Sequence, residues 1–212
     1  MKDDPGTEPL KEWNRLAREN TENAIVSSMF EAASRSSEPI EQFSTWLLVG
    51  TAAVASFLIA NSDKLVPFVS QKGFLVCGAF LCASCIAGLI SKMYALRCKI
   101  GIEVGAAVRQ TFIEHLKKYE EEEERIKKGA EFWGISLETG VRMERVLNEV
   151  YKPQPKWVVW LATRELKKHS GDPQIGYIPL IKTLNKQGMF SFFQALLFLG
   201  FLLSGFIYAS AI

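Results

Sequence analysis

GFLVCGAFLCASCIAGLIS, residues 73–91, contains no charged residue and holds three of the chain's four cysteines, with Cys82 and Cys85 in a C-x-x-C spacing. Two readings compete: a thiol or metal site, or the interior of a membrane-spanning helix. About 20 residues at ~1.5 Å rise cross a ~30 Å hydrocarbon layer, so the run is long enough to span. A thiolate there would be a charge in an apolar medium, and no histidine lies nearby to complete a metal set. Residues three apart on a helix hold their Cβ atoms ~5–6 Å apart, beyond the ~3.8 Å of a disulfide. The cysteines therefore read as small, polarisable packing residues.

Working outward, residues 42–62 and 187–212 are also free of charge, and all the Lys, Arg, Asp and Glu fall outside the three runs. Helices of soluble cores rarely extend so far without a charge. The first run begins behind a charged amphipathic stretch and lacks a signal-peptide layout, so it is expected to remain as a span. The chain is thus expected to be an all-α, multi-pass membrane protein with three transmembrane helices and a helical cytoplasmic module. Residues 97–188 carry seventeen of the 25 Lys and Arg, and the 61–73 loop carries only Lys64 and Lys72. Because basic loops are retained on the cytoplasmic side, the count places the N-terminus and residues 97–188 inside a bacterial inner membrane and the C-terminus outside. Trp46, Tyr94, Trp157 and Trp160 are the candidate membrane-interface residues, since amphipathic rings favour that zone.

Five parts follow. Residues 1–38 form an amphipathic helical arm whose Trp13, Leu16, Met29 and Phe30 make a candidate partner-binding face. Residues 39–96 form a transmembrane hairpin with spans at about 42–62 and 73–94; Ser37-Glu38-Pro39 offers its cap, and Pro67 and Gly73 suit a short outer loop. Residues 97–153 are expected to extend the second span into the cytoplasm and to close a helical hairpin, in which a second helix ending at Pro153 folds back on the long one. There Glu121 with Arg125, Glu123 with Lys127 and Glu124 with Lys128 are spaced as i,i+4 pairs, and Gly129 and Gly134 interrupt the helix. Residues 154–178 hold the amphipathic WVVWLATRELKKH segment and a turn-rich linker, read either as an interfacial helix on lipid or as a helix docked on its own domain. Residues 179–212 form the C-terminal transmembrane helix.

Chemistry is sparse. His115 and His169 are isolated, the five consecutive glutamates from Glu120 point around a helix rather than converge, and no phosphate-binding, nucleophile-elbow or zinc-protease motif is present. The runs hold no ionisable side chain for a proton relay. No catalytic, cofactor-binding or metal-ligating residue is assigned, no small-molecule substrate is expected, and the chain reads as a non-enzyme. What the spans do offer is small residues for close helix approach: Ala52 and Ser56; Ala79, Ala83, Ala87 and Ser91; and Gly200, Ser204, Gly205 and Ala209. These serve packing within one subunit or assembly into a homo-oligomer.

An amphipathic arm, a close two-span hairpin, a long cytoplasmic helix and no catalytic motif together resemble the small membrane effectors of bacterial antiphage systems. These include the two-span effectors of nucleotide-signalling systems and the transmembrane effector of retrons. The resemblance is one of architecture. It implies a dormant protein in the lipid bilayer, held by a cytoplasmic protein or nucleoprotein regulator such as a reverse transcriptase with its DNA–RNA hybrid. On activation it would disrupt membrane integrity and cause abortive infection. The alternative reading is a non-toxic structural or adaptor subunit of an inner-membrane complex.

Overall fold

A computed structural model describes residues 8–135 and 140–210. Six helices occur among them: α1 (Glu8–Ser34), α2 (Ser37–Ala60), α3 (Ser62–Trp133), α4 (Met143–Tyr151), α5 (Lys156–Lys168) and α6 (Ile178–Ser210). The described residues contain no strand, so the fold is all-α, and three of its helices are long and apolar enough to cross a membrane. The chain divides into two compact units. One comprises the residues up to Ile102 and again from Gly176; the other is Glu103–Ile175.

The first unit is a bundle of α2, the beginning of α3, and α6, with α1 leading into α2. Arg35 and Ser36 form a tight turn between α1 and α2, their N–H groups donating to the carbonyls of Ala32 and Ala33 at 3.2 and 3.0 Å. Pro39 sits in the first turn of α2, where its missing N–H costs no hydrogen bond. The expected cap at Ser37 is not made. Ser36 takes the cap position without a capping side-chain bond, and the Ser37 hydroxyl turns inward to α6.

The 61–73 connection is mostly helical rather than a plain loop. α2 closes at Asn61, a short helical piece carries Pro67, and the chain breaks at Ser70, with φ 63° and ψ 157°. That break has a use. The Ser70 hydroxyl accepts the Gly73 N–H at 3.2 Å and so caps the long helical run that follows. Gly73 serves contact rather than turning, since a Cβ there would lie 2.6 Å from the Tyr208 ring.

Burial along the bundle helices follows a heptad. On α3 the buried positions Cys77, Leu81, Ser84, Gly88, Ser91, Ala95 and Cys98 fall at steps of four and three in alternation, and Gly73 and Ala87 are buried beside them. On α6 Leu184, Gln187, Ser191, Gln194 and Phe201 keep the same rhythm, and on α2 Ser37, Ser44 and Thr51 recur at seven. A period of 3.5 held over several turns keeps one seam facing its partners and imposes a left-handed supercoil. Ser37 meets Gln187 and Ser44 meets Gln194, so α2 and α6 run parallel. Ser91 meets Gln187 and Ser84 meets Gln194, so α3 runs antiparallel to both.

The second unit holds the later part of α3, with α4 and α5. Glu123–Lys127 at 2.9 Å and Glu124–Lys128 at 2.7 Å close as expected, joined by Glu114–Lys118 at 3.1 Å. The hydrogen bond that the Lys127 ammonium donates to Glu123 holds it above its usual pKa. Gly129 does not interrupt α3; it is helical. The helix ends at Gly134, whose φ of 64° carries a Schellman closure, with Gly134 N–H to Glu131 at 3.2 Å and Ile135 N–H to Ala130 at 2.9 Å. Val146, Leu147 and Val150 on α4 stay exposed.

Candidate functional site

The bundle is built with its polar side chains inside. Ser37, Ser44, Thr51, Ser84, Ser91, Gln187, Ser191 and Gln194 are buried, while Phe43, Val49, Phe57, Leu75, Phe206 and Ile207 are exposed, and Trp46 is 80% exposed. A bundle folded in water has the opposite polarity, since burial of apolar surface drives it. Here the Thr51 hydroxyl donates to the Leu47 carbonyl of its own helix at 2.6 Å, and Ser37, Ser44, Ser84 and Ser91 pair with Gln187 and Gln194.

They pair in two repeated layers. In the first, the Ser37 hydroxyl donates to Gln187 Oε1 at 2.6 Å, Gln187 Nε2 donates back to the Ser37 carbonyl at 2.7 Å, and the Ser91 hydroxyl donates to the Gln187 carbonyl at 3.1 Å. One heptad on, Ser44 donates to Gln194 Oε1 at 2.6 Å, Gln194 Nε2 to the Ser44 carbonyl at 3.1 Å, and Ser84 to the Gln194 carbonyl at 2.9 Å. Each glutamine clamps α2 through both ends of its carboxamide while its own backbone is held by α3. Gly88 makes room for this, because a Cβ there would sit 2.6 Å from Gln194 Nε2. Beyond the second layer the seam turns apolar around Cys77, Leu81 and Phe201. No buried side-chain nitrogen or oxygen among the described residues lacks a partner.

Hydroxyls and carboxamides neither titrate near neutrality nor act as nucleophiles without a base. The seam is therefore equipped to fix helix register rather than to perform acid–base chemistry. Among the described residues no three His, Cys, Asp or Glu side chains gather as a metal set, and all four cysteines are free thiols, Cys82 exposed and Cys85 half-buried.

The residues singled out from sequence fall in several places. Ala87 and Ser91 are buried in the seam, and Ala83 is half-buried. Gly200 receives the Phe80 ring, which a Cβ would meet at 2.9 Å; Ser204 lies 3.5 Å from Cys77 Sγ, and Gly205 adjoins the same sulfur. Ala52, Ser56, Ala79 and Ala209 face outward. Tyr94 is half-buried and stacked on Phe190 with centroids 5.7 Å apart. In the second unit Trp157 and Trp160 lie exposed on one face of α5, with Arg164 over the Trp160 ring at 5.4 Å. On α1, Trp13, Leu16 and Met29 are exposed, whereas Phe30 packs on Tyr177 with ring centroids 6.2 Å apart. Arg15 bridges Glu12 and Glu19, and its hydrogen bond holds the Glu12 carboxyl below the usual range.

The residues that sequence reasoning missed are Ser37 and Ser44 as seam residues, Ser84, and above all Gln187 and Gln194. The signal that locates them is a spacing of seven repeated on three helices. Comparison with family models, with curated proteins and with solved structures returns no match.

Proposed function

We propose that the chain is an integral membrane protein of a bacterial inner membrane, and that it acts as an effector held inactive by a cytoplasmic regulator. On release it disrupts membrane integrity, the outcome being abortive infection. The observation that carries the membrane reading is the inverted polarity of the bundle: apolar rings outside, paired Ser and Gln inside. Hydrocarbon suits that exterior, and hydrogen bonds between helices suit that interior, because no water is available to satisfy the groups otherwise. The excess of Lys and Arg in residues 97–188 supports placing that segment and the N-terminus in the cytoplasm and the C-terminus outside.

The effector reading draws its support from the seam and the exposed small residues. The seam stores a row of polar groups that would line an aqueous path if several copies re-paired. Ala52, Ser56 and Ala79 leave close-approach surface free for a homo-oligomer. The regulator is proposed to be a protein or nucleoprotein, such as a reverse transcriptase carrying a DNA–RNA hybrid, and the open face of α1 bearing Trp13, Leu16 and Met29 is a surface for it. A second reading, a non-toxic adaptor subunit, is favoured by one observation: the seam is fully satisfied within a single chain.

Inducible expression with a membrane-potential dye separates the two. Depolarisation on expression, relieved by co-expression of a partner encoded beside it, supports the effector. Silence with and without the partner supports the adaptor. Crosslinking that gives monomer alone, before and after activation, would remove self-assembly from the mechanism.

A further inference from the structure

At the end of the uncharged runs, two cations from different helices converge on one aromatic ring. Arg97 Cζ lies 5.8 Å from the Tyr94 centroid, and Lys186 Nζ lies 5.7 Å from the same centroid. Phe190 stacks on Tyr94 at an interplanar angle of 17° and holds the ring between α3 and α6. Among the described residues neither cation is ion-paired to a carboxylate. Two like charges beside one ring repel each other, and an anion set between them would relieve that repulsion.

The cluster stands where the apolar exterior begins. Residues 73–91 and 187–212 carry no charge, and Lys92 and Lys186 are the first charges beyond them. One heptad from Lys186 along α6, Phe193 is exposed, and one turn from Tyr94 along α3, Ile90 is half-buried. An anion bound to Arg97 and Lys186 would thus have its head at the cations, while an attached acyl chain could lie along Phe193 and Ile90. A free phosphate would use only the first half of that surface. A zwitterionic lipid would bring its own ammonium against the two cations.

We propose that Tyr94, Arg97 and Lys186 form a binding site for the phosphate head of an anionic phospholipid. This rests on the membrane reading of the bundle but not on any toxic activity. The site selects anionic over zwitterionic lipid by charge, and it fixes the α3–α6 pair at the inner interface.

The test is native mass spectrometry of the full-length chain, purified in detergent and titrated with phosphatidylglycerol, phosphatidylcholine or inorganic phosphate. Phosphatidylglycerol is expected to be retained in preference to phosphatidylcholine. A juxtamembrane cation contributes enough that each of R97Q and K186Q is expected to weaken retention about fivefold. K72Q, a cation change elsewhere in the chain, is expected to retain the lipid as the parent does. Helix content by circular dichroism confirms that each variant is folded, and Y94L provides a variant that keeps both charges while removing the ring between them. Equal retention of both lipids, or retention by R97Q and K186Q equal to that of the parent, overturns the proposal. Displacement of phosphatidylglycerol by millimolar inorganic phosphate overturns it in favour of a free-anion site. A chain that fractionates away from membranes without detergent refutes the membrane reading instead, and so separates the two failures.

Discussion

Replacing Gln194 with Leu leaves an apolar side chain one atom shorter and removes both ends of the clamp on α2. Two hydrogen bonds disappear, Ser44 Oγ to Oε1 at 2.6 Å and Nε2 to the Ser44 carbonyl at 3.1 Å, whereas the Ser84 bond to the residue-194 carbonyl remains. Hydrogen bonds between helices in a bilayer average ~0.6 kcal/mol and reach ~1.7, so the loss is about 1–3 kcal/mol. The lower half of that range is expected. Ser44 has a fallback in the carbonyl four residues earlier, the bond that Thr45 and Thr51 already make at 2.7 and 2.6 Å. In a bilayer added hydrophobicity offers no return, because lipid around separated helices is as apolar as leucine. The assay is equilibrium unfolding in mixed micelles of increasing SDS content, followed by circular dichroism, on the parent, Q194L, S44A and the double variant. Both single changes remove the same Ser44–Gln194 bond, so the double should be more stable than their sum by about 0.6–1.7 kcal/mol. The first layer repeats the geometry, so Q187L with S37A should show a coupling of similar size. Additivity within ~0.5 kcal/mol in both layers would refute the assignment of register to these bonds.

Gly88→Ala places a methyl where the pinned carboxamide of Gln194 lies and should cost about 1–3 kcal/mol in the same titration, but less in a Q194A background. Phe30→Ala removes the contact with Tyr177 and should loosen α1, seen as faster proteolysis of the arm, by roughly 0.5–1.5 kcal/mol beyond lost area. A chain whose only tryptophan is Trp46, which is 80% exposed on α2, should be quenched strongly by brominated acyl chains after reconstitution; emission insensitive to bromination would count against the span. Trp157→Ala with Trp160→Ala removes two exposed rings and should leave the SDS midpoint of the bundle within about 0.5 kcal/mol of the parent.

The helices and their number were legible because long uncharged runs constrain a chain strongly, and residues 42–62, 73–91 and 187–212 leave few alternatives to long apolar helices. The interface was less legible, for a geometric reason. A row read at steps of four rotates about 40° per step on a helix of 3.6 residues per turn. Ala79, Ala83, Ala87 and Ser91 therefore wind from the exposed face into the seam, as their burial records. The seam keeps a 3.5 period, and its markers are Ser37, Ser44 and Thr51, Ser84 and Ser91, and Gln187 and Gln194. Read singly, each is an unremarkable neutral residue in an apolar run. Pro67 and Gly73 suggested a loop, but helix persists to the break at Ser70, and Gly73 is used for contact with Tyr208.

The repeat also bears on how such a bundle can change state. Sliding α2 along α6 by three or four residues separates both Ser–Gln pairs and strands the two carboxamides, at the greatest cost in hydrocarbon. Sliding by seven, about 10 Å at 1.5 Å per residue, is different, because the buried hydroxyls of α2 recur at seven: Ser44 then meets Gln187 and Thr51 meets Gln194. The opposite slide brings Ser37 to Gln194 and leaves Gln187 without a hydroxyl from α2. The energy separating these registers from the observed one is then no more than that of a single layer, about 1–3 kcal/mol, which is within the range that differential binding of a partner can supply. The repeat of seven therefore gives a discrete ground state with discrete neighbours. A regulator that grips α1, which leads directly into the helix bearing Ser37 and Ser44, can therefore bias the pair without touching the seam.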